Sequence, residues 1–279
     1  MAAEAVLSRL ATGGRTAPDT AARYTHGAVI PLRDDIPGRR FPAVTVALIA
    51  ANVAVFVVQL ALPRWGVTES GWYYLLGVRP FELTHHVDLP PFAWFPGWAT
   101  MFTSMFVHGG WLHLLFNLWF LWIFGDDVEG AMTRPRFLLF YLVCGLAATA
   151  TQVLVAPASD VPLIGASGAI AGVLGGYLVL FPRARVLTVV PLLIVWPVFE
   201  VPAWILLLVW FAIQVLSGWR SWGTGEAGVA FFAHVGGFVA GMLLVLVLAR
   251  PRPRRPSRLR PGAGVGRDGG RAAGAGRRV

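Results

Sequence analysis

Residues 165–172 read Gly165-Ala166-Ser167-Gly168-Ala169-Ile170-Ala171-Gly172, a serine between glycines at the head of a long apolar run. A serine hydroxyl in that setting has three uses. It can bond back to its own backbone, let a second helix approach closely, or act as a nucleophile. On this segment alone packing is the commoner reading, because Gly, Ser and Ala at helical spacing are ordinary at helix contacts in membranes. A histidine brought to the serine reverses that balance, and the rest of the chain supplies candidates.

The 279 residues are 56% hydrophobic and only 13% charged, with a mean hydropathy of +0.65. Soluble domains carry roughly 25% charged residues, so the composition is that of a polytopic membrane protein. The net charge of +9 does not point to nucleic acid, since most of it lies in the two tails and short loops. The single Cys144 sits in an apolar run and supplies neither a disulfide framework nor a cysteine metal cluster. Residues 1–40 are mixed and polar, and no short apolar leader core is expected in them.

Hydropathy predicts six spans, over 44–62, 101–124, 137–156, 164–181, 201–217 and 229–249, each near the ~20 residues a bilayer requires. The expected class is therefore all-α, a six-helix membrane domain over 43–249. A mostly flexible cytosolic arm (1–42) precedes it, and a disordered Arg/Pro/Gly-rich tail (250–279) follows. The connection 63–100 carries Trp65, Trp72, Tyr73, Tyr74, Trp94 and Trp98, aromatics suited to the headgroup zone. The apolar stretch 187–199 contains Pro191 and Pro197 and is short for a span. It reads as a re-entrant, interfacial or hairpin element.

Arginine placement tests the span count. All 23 basic residues are arginine. With both termini inside, 20 lie on the inner side, and only Arg64, Arg79 and Arg220 lie outside. That bias obeys the positive-inside rule. A seventh span over 187–199 would expose the ten tail arginines. The chain is thus expected in a bacterial cytoplasmic membrane with both ends cytoplasmic.

In this topology the second, fourth and sixth spans run inward from the outer face. At 1.5 Å per residue, Ser167, His234, His113 and Asn117 all fall roughly 5–20 Å below that face. Intramembrane polar groups are costly and tend to mark function. Gly168, Gly172 and Gly176 form one small-residue stripe, and Ala233, Gly237 and Gly241 a second at the same interval. Stripes of this kind let backbones approach closely, which would bring the Ser167 hydroxyl to the His234 imidazole.

Serine needs a base to become a good nucleophile, and histidine is the usual one near neutral pH. No Asp or Glu lies within the fourth or sixth span, which favours a Ser–His dyad over a triad with a carboxylate. Acyl transfer also requires donors for the developing oxyanion. His113 and Asn117, at i and i+4 on one helix face, would supply them together with the Ser167 N–H. His108 lies nearer the surface, and shaping the loop there is at least as good a reading of it as an oxyanion role. Other chemistries fit less well. No HExxH is present, and Asp126-Asp127 has no partner in another span. A metal site from His108, His113 and His234 lacks a carboxylate or thiol to complete it.

These residues resemble the rhomboid family of intramembrane serine proteases. Thr103 through Asn117 is similar to that family's HxxxxHxxxN span, with His108, His113 and Asn117 in order, and Gly165 through Gly168 to its GxSG motif. Pro202-Ala203-Trp204 through Trp210-Phe211-Ala212-Ile213-Gln214 resembles the usual fifth span, and Ala233-His234-Val235-Gly236-Gly237-Phe238 the base motif of the sixth. The resemblance covers roughly 43–249. It implies cleavage of single-span membrane proteins within or next to their membrane segment. Ser167 would be nucleophile, His234 base, and Asn117, His113 and the Ser167 N–H the oxyanion donors, with His108 and Gly165 supporting. No cofactor or metal is implied, and the partners are substrate helices and the lipid bilayer. No nucleic acid is expected, and the oligomeric state is unknown from sequence. Two positions depart from the pattern. Trp98-Ala99-Thr100 stands where many members carry Trp-Arg, leaving Glu129 without that arginine. Ala171 stands where some place an aromatic beside the base.

Two other classes compete. A rhomboid-fold pseudoenzyme is expected to lack the serine or the histidine, and both are present. A transporter or channel is expected to carry intramembrane charge pairs or inverted repeats, and neither is visible.

Overall fold

A segment entering hydrocarbon has to satisfy its own peptide groups, so long apolar runs fold as helices. The structure, a computed structural model, describes residues 30–38, 40–89, 96–190, 196–221 and 229–249. Most of the expected arm, Trp94 and the expected tail lie outside them. In chain order the elements are β1 (Ile30–Asp34), α1 (Ala43–Ala61), α2 (Glu69–Leu76), α3 (Pro80–His85), α4 (Gly97–Thr103) and α5 (Trp111–Gly130). They continue with α6 (Arg134–Val155), α7 (Ser167–Leu180), β2 (Arg185–Val189), β3 (Val198–Pro202), α8 (Ala203–Ser221) and α9 (Phe231–Leu248).

Four helices are long and apolar enough to cross a membrane: α1 with the turn continuing it (Ala43–Arg64), α6, α8 and α9. Gly97–Phe106 and α5 are bent by 80° and make a fifth span when counted as one. The chain is therefore a multi-pass membrane protein. The expected second span, 101–124, is not one straight helix. It breaks at Val107-His108-Gly109-Gly110, where Val107 is extended and Gly110 takes φ +134° before α5 begins. The expected fourth span shortens in the same way, because Gly165 turns the chain at φ +117° and the helix starts at Ser167 itself. Its 14 residues cover about 21 Å, less than the ~30 Å hydrocarbon core.

Helix α7 is the centre of the bundle. Every residue from Gly168 to Leu178 is buried, as expected of a helix that is apolar on all sides. Its closest neighbours are α9 and α6. The two predicted glycine stripes form the contact. A Cβ on Gly237 would collide with the Gly168 carbonyl, one on Gly241 with the Gly172 carbonyl, and one on Gly175 with the Phe238 carbonyl. On its α6 side, a Cβ on Gly168 would lie 2.6 Å from that of Ala148. Backbones meet here with no side chain between them.

The all-α expectation holds for the bundle and misses a small sheet. β1, β2 and β3 form an antiparallel sheet in that order. The stretch 187–199 thus takes the hairpin alternative, with 191–195 outside the described residues. Buried Val186 and Thr188 alternate with more exposed neighbours, the period-2 pattern of a strand. β1 comes from the segment assigned to the flexible arm. Asp34 accepts the Tyr177 hydroxyl proton at 2.5 Å, and Asp35 accepts the Arg185 N–H at 2.8 Å. Those two contacts tie β1 to α7 and β2.

Candidate active site

Ser167 is the first residue of α7 and His234 the fourth of α9, so the glycine seam that joins these helices also joins their side chains. His234 Nε2 lies 2.8 Å from Ser167 Oγ. The other ring nitrogen, Nδ1, lies 2.7 Å from Oε1 of Gln214 on α8. Gln214 is 8% exposed. One turn earlier on the same helix, the Trp210 ring centroid lies 6.0 Å from that of His234.

His113 reaches the site from α5. The Gly109 N–H donates to its Nδ1 at 3.2 Å, so a neutral ring carries its proton on Nε2. That edge faces the turn before Ser167, since a Cβ on Gly165 would sit 2.6 Å from Nε2. Gly165 is required on two counts, its positive φ and this missing Cβ. Its N–H donates to the Ser104 carbonyl at 2.8 Å, which fixes the turn.

Asn117, buried one turn beyond His113, donates from Nδ2 to the His113 carbonyl at 2.8 Å. An amide nitrogen has a second proton to give. His108 is fully buried and does not reach the serine. Its Nδ1–H donates to the Phe106 carbonyl at 3.2 Å, and its ring meets that of His113 edge-on at 5.1 Å. Its carbonyl accepts from Gln59 of α1 at 2.8 Å. His108 therefore braces His113 and the start of α5. Chemically, the cluster has a hydroxyl on a ring nitrogen, N–H groups about the turn that precedes it, and no carboxylate in contact with the imidazole among the described residues.

A model of the rhomboid domain matches residues 96–251, more than half of the chain. The chain belongs to the rhomboid family. Among curated relatives of this rhomboid, "Rhomboid-like protein 11, chloroplastic" of Arabidopsis thaliana is 36% identical over 101 residues, 36% of this chain and 33% of that protein. "Putative rhomboid protease YdcA" of Bacillus subtilis is 32% identical over 145 residues, 50% of this chain and 63% of the relative. "Rhomboid protein 1, mitochondrial" of Saccharomyces cerevisiae is 29% identical over 203 residues, 71% and 51%. The matches thus span between a third and just under two thirds of these relatives' length.

Both departures from the rhomboid pattern find replacements. Glu129 is fully buried, and its carboxylate accepts from the Val44 and Thr45 N–H groups and the Thr45 hydroxyl at 2.8–3.2 Å. It thereby satisfies orphan donors at the start of α1. Arg40 donates to the Glu129 and Met132 carbonyls at 2.7 and 2.5 Å. The long connection is anchored by Arg79, which pairs with Glu82 and Asp160, and by Val78 bridging Leu163. Where Ala171 offers no aromatic, Trp210 packs beside His234. In the sequence Gln214 and Trp210 read only as part of the fifth span. Their spacing of four, on one helix face, was the available signal.

Proposed function

We propose that the chain is an intramembrane serine endopeptidase that cleaves single-span membrane proteins within or next to their membrane segment. The 2.8 Å contact between Ser167 Oγ and His234 Nε2 carries this reading. His234 takes the hydroxyl proton as Oγ attacks the scissile carbonyl carbon, and the carbonyl oxygen becomes an oxyanion. The Ser167 N–H, His113 Nε2–H and the free Asn117 amide proton stabilise that charge. His234 then protonates the departing amine. Water, deprotonated by the same imidazole, hydrolyses the acyl-enzyme. No cofactor takes part.

The same proposal takes α1, the bent pair with α5, α6, α7, α8 and α9 as six passes. It sets the chain in a bacterial cytoplasmic membrane with the termini inside. The arginine bias of 20 to 3 supports that orientation. Because α7 has only 14 residues and begins at Ser167, the serine is set below the outer face. The bilayer is then both solvent and source of substrate.

The test is labelling of the liposome-embedded protein by a serine-reactive fluorophosphonate. The Ser167 oxygen would displace fluoride from phosphorus while His234 takes the hydroxyl proton. Wild type should label, and Ser167→Ala and His234→Ala should not. Labelling indifferent to both substitutions would sink the reading.

A further inference from the structure

Resting on the protease reading, we propose that Gln214 is a positioning residue: its side-chain carbonyl holds His234 in the tautomer whose bare Nε2 faces Ser167. A neutral imidazole has one N–H. Oε1 only accepts, so at 2.7 Å from Nδ1 it requires the proton on that nitrogen. The lone pair is then left on Nε2, 2.8 Å from the hydroxyl. Rotated by half a turn, the same amide would donate to Nδ1, place the ring proton on Nε2 and leave no base. Which tautomer forms is thus decided by a residue twenty positions before the histidine, on a different helix.

The choice of an amide follows from the setting. A carboxylate within the membrane thickness is costly, whereas an amide supplies the acceptor without a buried charge. It fixes the tautomer while giving the imidazolium little charge stabilisation. Around the ring, Trp210 limits the tilt from α8, and the Phe211 and Phe238 rings, stacked at 4.7 Å, lock that helix to α9. The groups facing His234 are Ser167 from α7, Gln214 and Trp210 from α8, and His113 from α5. Among the described residues, His113 is the other ionisable side chain near His234. On the α6 side, Thr151 and Ala148 contact the neighbouring glycines and do not titrate.

The test compares wild type, Gln214→Met and Gln214→Glu by the rate of fluorophosphonate labelling against probe concentration and pH. Met keeps the length and removes the acceptor. It should lower the maximal labelling rate on the order of 10²-fold while leaving the half-saturating concentration unchanged, because Gln214 touches the base and not the probe. Glu keeps the acceptor and adds charge, which stabilises imidazolium and moves the acidic limb of the pH–rate profile to higher pH. A residue that merely packs would not separate Met from Glu, since the two side chains fill nearly the same space. Labelling by Gln214→Met at the wild-type rate, or an unmoved limb in Gln214→Glu, would overturn the proposal. Should Met destabilise the fold, seen as a lowered melting temperature in detergent, the Glu limb decides alone. Wild type that fails to label at all would instead overturn the protease reading, and the role of Gln214 with it.

Discussion

Helix α9 makes two contacts built from different material. Against α7 it presents glycine, and carbonyl groups lie where Cβ atoms would be, Gly237 on Gly168 and Gly241 on Gly172. Against α8 it presents side chains: Phe238 on Phe211 and Trp210, and His234 on Gln214. The first contact has no rotamers to adjust, so the spacing between Ser167 and His234 is set by backbone alone. The second is made of side chains, whose rotamers share in setting the distance. His234 stands between the two, with Nε2 on Ser167 of the stiff side and Nδ1 on Gln214 of the side-chain side.

That contrast can be broken or sharpened by substitution. The largest expected effect is Ser167→Ala, which removes what the stiff seam delivers. Proteolysis in liposomes should fall about 10⁴-fold or more, with the melting temperature nearly unchanged. Activity within tenfold of wild type would mean that the seam serves packing only.

Next comes the seam. Gly237→Val forces side-chain volume onto a backbone carbonyl that has no rotamer with which to retreat. Overpacking costs about 1–3 kcal/mol or more, so a clear drop in melting temperature should accompany a loss of activity near 10²-fold. An unaltered variant would show that the two backbones are not held together. Asn117→Ala tests a donor outside both contacts. Its kcat should fall about 10²-fold with KM steady, the pattern of an interaction made in the transition state. A rise in KM alone would argue for substrate binding instead.

Trp210→Ala probes the side-chain side. An aromatic pair is worth about 0.5–1.5 kcal/mol, so the loss of activity should stay within roughly tenfold. A loss as large as that of Gly237→Val would erase the distinction between the two contacts. The smallest effect belongs to Asp160→Asn. The Asp160 side chain is 59% exposed, and its ion pair with Arg79 should contribute under about 1 kcal/mol, screened further by salt. Thermal unfolding at low and high ionic strength measures it.

Much of this was legible because its cause is local. The runs that became α1, α6, α8 and α9 are apolar over span length, and the stripes of glycine and alanine announce a close helix contact whatever surrounds them. Ser167 and His234, each beside a stripe, followed from that. The break before α5 was written in Gly109-Gly110, and the late start of α7 in Gly165. Both are glycines of a kind that also occur within membrane helices, so their effect on the chain could not be read from composition.

The sequence by itself determined the membrane class, the four long apolar helices, the charge bias and the pairing of serine with histidine, because hydrophobic length and side-chain size act within a few residues. Only the tertiary structure decided the rest. β1 joined the hairpin at 185–202, Glu129 found the first turn of α1, Arg79 found Asp160, and Gln214 turned its carbonyl to His234. Each is a hydrogen bond or ion pair between segments far apart in the chain. Such pairs form only where packing has already brought both ends into register, and no local period in the sequence records it.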